Sequence, residues 1–445
     1  MDVTRELAEY LVSSSLKEVP EGVRHEARRA ILNYVGCAIG GSRQEAVEIA
    51  ARVLGPYSGP GTSSVLGRGE RVDPLQASFL NGISSHILEY CDTTPKNYNH
   101  PSSPMASALC AYASTTVVAG PAFLHAFILG FEAQTRIANA TYPAHYNAGW
   151  HTTGTAGVFG AAVGMGRLLK LDLQQMIWTI GLAATQSAGL REMFGSMAKA
   201  FHPGRSAQSG YLAALLAQGG FTSGVYGLEG PRGFAAVLST AYDLDKVTRN
   251  LGVEFELPYN TYKPFPSGIV IHPTIDGCIQ LQKEFQLTAA VIASVRLRVA
   301  PLVLDLCNKK RITSGLEGKF SVYHAAAIGL VRGKGGIAEF TDEAVNHPDI
   351  RRVRELVEAV GDPTIAEDAV AIEVVLTDGR RIAKRVEHAI GNLARPMTDT
   401  ELEEKFRDQA GRVLPMSQVN EVIGMCWKID KLEDVRRLIS AACVA

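Results

Sequence analysis

The 445-residue chain reads as a mainly α protein with an α+β second domain. Three observations predict this. From Asp2 to about Thr240, apolar residues recur at three- and four-residue spacing, with Gly or Pro at the joints. After roughly Pro258 the spacing turns to alternation, and "AVAIEVVLTDGRRIAKRVEHA" gives two strand-like runs joined at Asp378-Gly379, a hairpin signal. At "RPMTDTELEEKF", Thr398 and Glu401 fit a capping box, and the chain returns to helix.

In order, "VRHEARRAILNYVGCAIGG" places Val23, Ala27, Ala30, Ile31, Tyr34, Val35 and Ala38 on one face, ended at Gly40-Gly41. "LQASFLNGISSHILEY", "AFLHAFILGFEAQTRIANA" and "LQQMIWTIGLAATQSAGL" follow the same helical rule. The glycines of "GTAGVFGAAVGMGRLLKL" superficially fit a dinucleotide fingerprint, but no strand precedes them and their steps suit close helix packing. "ASVRLRVAP" alternates apolar and charged residues as a half-buried strand does. The last helices are placed to rejoin the first domain, which would make the α+β part an insertion.

Composition narrows the function classes. Hydrophobic residues make up 46% and charged residues 20%, as in a folded globular protein. With 44 Lys plus Arg against 45 Asp plus Glu and no basic run interleaved with aromatics, nucleic acid is not an expected partner. "AGVFGAAVGMG" and "AAVIASV" fall short of the roughly 18 apolar residues of a membrane-spanning helix. The N-terminus lacks a basic stretch followed by an apolar core, so the expected location is cytoplasmic. Seven scattered cysteines without a C-x-x-C pair support neither a disulfide framework nor structural zinc.

Four segments are chemically dense. "SSHILEYCDTTPKNYNHPSSP" holds His86, Glu89, Asp92, Lys96 and His100. On one helix the first three would form a drifting stripe pointing to the His100 loop. The strict spacing of a metal site is missing, so no metal is expected; a solvated polar face is the plain alternative. "YPAHYNAGWHTTGTAG" sets Tyr142, His145, Tyr146 and His151 before a helix start near Thr152, where free N–H groups favour an anion. "GLREMFGSMAKAFHPGRSAQSG" supplies Arg191, Lys199, His202 and Arg205 in an apolar setting that would lower the pKa of Lys199 and suit it to proton transfer. Lys199 read as a surface lysine, and the arginines read as structural ion pairs, are the competing readings. "YKPFPSGIVIHPTIDG" adds Lys263 and His272, the latter also readable as a core or capping histidine. Together these groups suit a small polycarboxylate and proton chemistry.

Seven stretches in order, "YVGCAIGG", "EYCDTTPKNYNHPSS", "GWHTTGTAGVFGAA", "GSMAKAFHPGRSAQSGYLAALLAQGGF", "KPFPSGIVIHPTIDG", "EGKFSVYHAA" and "RPMTDTELEEKF", resemble the MmgE/PrpD family over about residues 5 to 440. The resemblance implies an all-helical domain from residues 1–257 and 395–445, and an α+β lid domain over 258–394. It further implies a homodimer and a di- or polycarboxylate bound between the domains, without an obligatory redox or nucleotide cofactor. Carried over by motif, the substrate-binding residues are Asp92, Thr93, His100, His151, Lys263 and His272, with Lys199 catalytic and Arg191 a further donor. Two departures bear on the reaction. Glu89 stands where the family typically has Asp, and Gly268 stands where its decarboxylases carry a histidine. With that acid lost, the expected chemistry is two-base epimerisation of a polycarboxylate amino acid such as iminodisuccinate, Lys199 and Tyr146 serving opposite faces of one carbon. The alternatives are a hydro-lyase acting on a 2-methylcitrate-like acid, a cis-aconitate decarboxylase, and a carboxylate-binding member without activity.

Overall fold

The computed structural model describes residues 2–444. Its larger part is a stack of helices whose centre is built from small side chains. Labelled in order, these are α1 (Val3–Ser13), α2 (Glu21–Gly41), α3 (Pro74–Ile87), α4 (Ser102–Ala113), α5 (Gly120–Thr141), α6 (Gly157–Leu168), α7 (Leu173–Ala184) and α8 (Ala198–Gln218). Helices α4 and α6 are buried almost all round, which explains why their sequences show little amphipathic contrast. Asp73 caps α3 through its side chain, accepting from the N–H groups of Leu75 and Gln76, with Pro74 at the first helical position.

Helices α3 and α8 cross in close contact. A Cβ built on Gly82 would lie 2.5 Å from the Cα of Gly204, so the two backbones touch. The glycines of "GTAGVFGAAVGMG" serve packing as expected: Gly160 lies against Gln134 of α5 and Gly157 against Pro104 of α4.

The smaller part is α+β. Helix α9 (His272–Phe285) precedes β3 (Ile292–Val299); α10 (Val322–Arg332) follows, then β4 (Val357–Gly361), β5 (Val370–Leu376) and β6 (Arg381–Val386). The sheet order is β4-β3-β5-β6, with β4 parallel to β3 and the other pairs antiparallel. Val370, Ile372, Val374 and Leu376 alternate inward, giving the face that packs on α9, while α10 packs on α9 and β4. The β5–β6 hairpin turns at Asp378-Gly379, with Gly379 at φ 87°.

The chain then returns as α11 (Asp399–Ala410), capped by Thr398 and Glu401 as the sequence indicates, and α12 (Met416–Trp427). Helix α11 packs on α2, with Phe406 against Gly36 and Gln409 against Gly40. Two apolar cores result. One gathers residues from Val3 to Tyr262 and from Met397 to Ala442; the other runs from Val270 to Val386 and takes in Tyr98 and Tyr146. A two-residue ladder joins the parts: β1 (Asp92–Thr93) pairs antiparallel with β2 (Thr261–Tyr262), Asp92 opposite Tyr262.

Candidate active site

The site is assembled where α3 ends. Its last turn does not carry the stripe that the spacing of His86, Glu89 and Asp92 suggests. The helix stops at Ile87, Glu89 takes a left-handed backbone with φ 55°, and Asp92 enters the ladder with Tyr262. The turn swings the Glu89 carboxylate toward α8, and the ladder brings Lys263, the residue after β2, to the same place. Glu89 pairs with Lys199, in the first turn of α8, and with Lys263 Nζ at 3.3 Å. All three side chains are buried. Burial works against the Glu89 charge, but Lys199 and Lys263 outweigh it and hold the carboxyl down at about 2. Burial pushes Lys199 below its usual range, opposed by Glu89.

Three histidines stand beside this group. His100 Nδ1 donates to the Asp92 carbonyl at 2.8 Å and lies 2.9 Å from Thr93 Oγ1, which leaves Nε2 as the lone-pair nitrogen. His151 Nδ1 is 2.8 Å from His202 Nδ1, and His86 Nδ1 is 3.1 Å from Cys91 Sγ. The Nε2 atom of His151 is buried without a partner, and that of His86 lies 3.5 Å from Glu89 Oε1. Burial, then the neighbouring lysines and histidines, push all three rings far below the usual histidine range. They are neutral bases at neutral pH. One nitrogen from each ring lies within 4.8 Å of the others, a ligand set that a zinc-like ion accepts. The ammonium groups of Lys199 and Lys263 oppose a cation there, whereas the same lone pairs suit a hydroxyl, a water or an acidic C–H.

Glu89, Thr93, His100, Tyr146, His151, Lys199 and Lys263 line one chamber, closed on the α+β side by Gly268, Ile269, Val270, Leu306, Cys307 and Phe320, with Phe194 beneath. Only ≈ 40 Å³ of it admits water, room for little more than one or two molecules. A larger cavity of ≈ 470 Å³ adjoins it and shares Tyr98, Ile269 and Val270. Tyr98 donates to Glu367 across the two parts of the chain. Anything larger than one or two waters therefore fits only if the α+β part moves away from the helices.

Other sequence-named residues lie around the chamber rather than on it. Asp92 is behind it, accepting from Ser102 Oγ at 2.5 Å and Asn260 Nδ2 at 3.0 Å; burial lifts its carboxyl to about 6. Arg191 pairs with Asp305 at 2.6 Å and donates to the Tyr146 carbonyl at 2.9 Å, its guanidinium 4.1 Å above the Tyr146 ring. His272 lines the larger cavity. Lys96, from the same dense segment, reaches outward to Glu256 at 3.2 Å and lies over the Tyr259 ring. Its flanking turn, with Tyr98 at φ 52°, directs it away.

Sequence reasoning overlooked Lys319, a third buried lysine near Glu89, donating to the Leu88 carbonyl at 2.5 Å. Burial brings it down to about 7, against the pull of Glu89. A lysine after a Gly at a helix end reads as surface, and only the apolar "KFSVYHAA" run after it hinted otherwise.

Residues 5–246 match the MmgE/PrpD N-terminal domain and residues 265–429 the MmgE/PrpD C-terminal domain. The chain is 25% identical to a cis-aconitate decarboxylase of Aspergillus terreus over 98% of its length and 95% of that protein. It is 24% identical to the cis-aconitate decarboxylase of Homo sapiens, over 97% and 92%. It is also 24% identical to a 2-methylcitrate dehydratase of Cupriavidus necator, over 94% and 92%. These are names of lyases, and they give the expected iminodisuccinate epimerisation no support. Two matched domains covering nearly the whole chain, folded around one lysine- and histidine-lined chamber, make this protein a member of the MmgE/PrpD family.

Proposed function

We propose that this protein is a lyase that eliminates water from a 2-hydroxy tricarboxylate of the 2-methylcitrate type. The observation that carries the reading is the chamber itself: one carboxylate, Glu89, faces two buried ammonium groups with a third close behind, and the remaining polar lining is neutral, from His100, His151, Thr93, Tyr98 and Tyr146. Such a site favours a polyanion, and it holds base and acid together.

His100 is the better base. Its Nδ1–H is held by the Asp92 carbonyl, so Nε2 presents a lone pair at neutral pH. In the forward direction Nε2 takes the proton from the carbon next to a substrate carboxylate. The C–H electron pair becomes the new C=C bond, the C–O bond of the neighbouring carbon breaks, and Lys199 gives its proton to the departing hydroxide, forming water. Lys263 and Lys199 hold the carboxylate whose enolate-like charge grows in the transition state. Tyr146 is a poor partner for a two-base epimerase: burial pushes its phenol far up, so the phenolate needed for one direction is scarce.

Decarboxylation of cis-aconitate is the second reading, favoured by the names of two relatives. Against it stands Gly268. It offers no proton, and a Cβ there would sit 2.9 Å from Cys307 Sγ, so a larger residue would have to displace that side chain.

The test is proton NMR of the purified protein in deuterium oxide with 2-methylcitrate, cis-aconitate and iminodisuccinate in separate tubes. An alkene product from 2-methylcitrate is expected. Decarboxylated product from cis-aconitate would favour the second reading, and α-deuteration of iminodisuccinate alone would overturn both.

A further inference from the structure

Glu89 occupies the residue after the α3 C-cap in a left-handed conformation that side chains with a Cβ seldom adopt and that glycine usually takes. Glycine would relax the turn but carry no carboxylate. The carbonyls on both sides of Glu89 are held by buried lysines. Leu88 O accepts from Lys319 Nζ at 2.5 Å, and Tyr90 O accepts from Lys405 Nζ at 2.6 Å. Lys405 also donates to Asn33 at 2.7 Å and stands 4.4 Å from the Tyr90 ring centre. Neither lysine forms an ion pair among the described residues, and neither lines the chamber. Two buried ammonium groups are thus directed at main-chain oxygens that flank a single strained residue.

They come from opposite sides. Lys405 lies on α11, packed on α2. Lys319 follows the turn Gly315–Gly318 of the α+β part, and its own carbonyl accepts the Gly268 N–H at 2.9 Å. Lys319 therefore ties the chamber wall at Gly268 to the turn at Glu89.

We propose that Lys319 and Lys405 are positioning residues that hold the Glu89 turn left-handed, so that its carboxylate stands between Lys199 and Lys263, and that Lys319 completes this only while the α+β part is docked. The proposal rests on the reading of Glu89 as part of the reaction site.

The experiment compares Lys319→Met, Lys319→Arg and Lys405→Met with wild type, alone and combined with Glu89→Gln. Lys319→Met is expected to lower kcat at least about tenfold with KM within about threefold, because a positioning group acts on the transition state through Glu89; Lys319→Arg restores part of the loss. In the Glu89→Gln background the same change should cost less than about twofold. A raised KM with unchanged kcat, or losses that multiply in the double variant, would overturn the proposal. Crystal structures of the Lys319→Met and Lys405→Met variants supply a reading independent of turnover: Glu89 is expected to leave the left-handed region, and an unchanged φ refutes the clamp. If wild type converts none of the three acids, the functional reading fails while the Glu89 backbone still decides this one. If Lys319→Met does not fold, Lys405→Met carries both readouts.

Discussion

Replacing Gly82 by Ala tests whether the α3–α8 contact sets the distances in the site. The new Cβ would meet the Gly204 Cα at 2.5 Å, the Gly204 nitrogen at 2.7 Å and the Pro203 carbonyl at 2.9 Å. All three are main-chain atoms, so no side-chain rotation relieves them. Ordinary contact needs about 3.5 Å, and the helices must part by roughly 1 Å. Overpacking of this kind costs about 1–3 kcal/mol of stability. The displacement also reaches the chemistry. Lys199 precedes Gly204 by little more than one helical turn, about 7 Å along α8, and Glu89 follows Gly82 by about two turns. Stretching a buried ion pair from about 2.8 to about 3.8 Å at an effective dielectric constant of about 20 loses roughly 1–2 kcal/mol. A misplacement of that size lowers turnover up to about 100-fold. Urea unfolding and steady-state kinetics read the two effects, with Gly22→Ala as the contrast: nothing lies within 4 Å of a Cβ at Gly22 in α2, and alanine there should leave stability unchanged or up to about 1 kcal/mol higher. A Gly82→Ala protein within about 0.5 kcal/mol of wild type and with full kcat would refute the idea that this crossing sets the site.

Glu89→Gln leaves Lys199 and Lys263 without their shared counter-ion. Unfolding should become easier by about 3 kcal/mol or more. Because Glu89 raises the Lys199 pKa, the basic limb of the kcat profile should move to lower pH. Tyr146→Phe removes only a hydroxyl; the elimination mechanism predicts less than about tenfold loss in kcat/KM, and a loss of about 10³ would restore the two-base reading. Lys319 is charged below about 7 and neutral above it. Steady-state kinetics should therefore show kcat fall as pH rises from 6 to 8.5, by up to roughly tenfold for one lost charge, with KM within about threefold, and the slope should flatten in Lys319→Met.

The residues that carry regular periodicity were legible in the sequence. The α2 face from Val23 to Ala38, the Asp378-Gly379 hairpin and the Thr398–Glu401 cap all stand where spacing and turn chemistry put them. The α3 terminus was not legible, because the pattern continues through Leu88 and nothing in it signals that a glutamate takes the left-handed position usually filled by glycine. That single departure turns Glu89 toward α8 and sends Asp92 into the ladder with Tyr262. Lys96 and Lys199 show the same limit from the other side. Both are lysines near aromatic residues, yet one lies on the surface over Tyr259 while the other is buried against Phe194 and Phe320. Only tertiary packing separates them.

The charge arrangement links the fold to the proposed chemistry. Glu89 answers two lysines at once, Lys319 adds a third at the adjoining Leu88 carbonyl, and Asp92 spends its charge on Ser102 and Asn260 outside the chamber. The side chains lining the chamber thus carry more positive than negative charge in a medium that screens poorly. Hydrophobic packing across the two cores has to hold the lysines there, and the small-residue helices do so by leaving no path for their stems to reach water. Under the proposed function a tricarboxylate would supply negative charge there, so its binding and the docking of the α+β part would support each other. The enolate-like charge that the proposed elimination would build on a substrate carboxylate would be answered by groups that need no reorganisation, which is the condition under which such electrostatic stabilisation lowers a barrier.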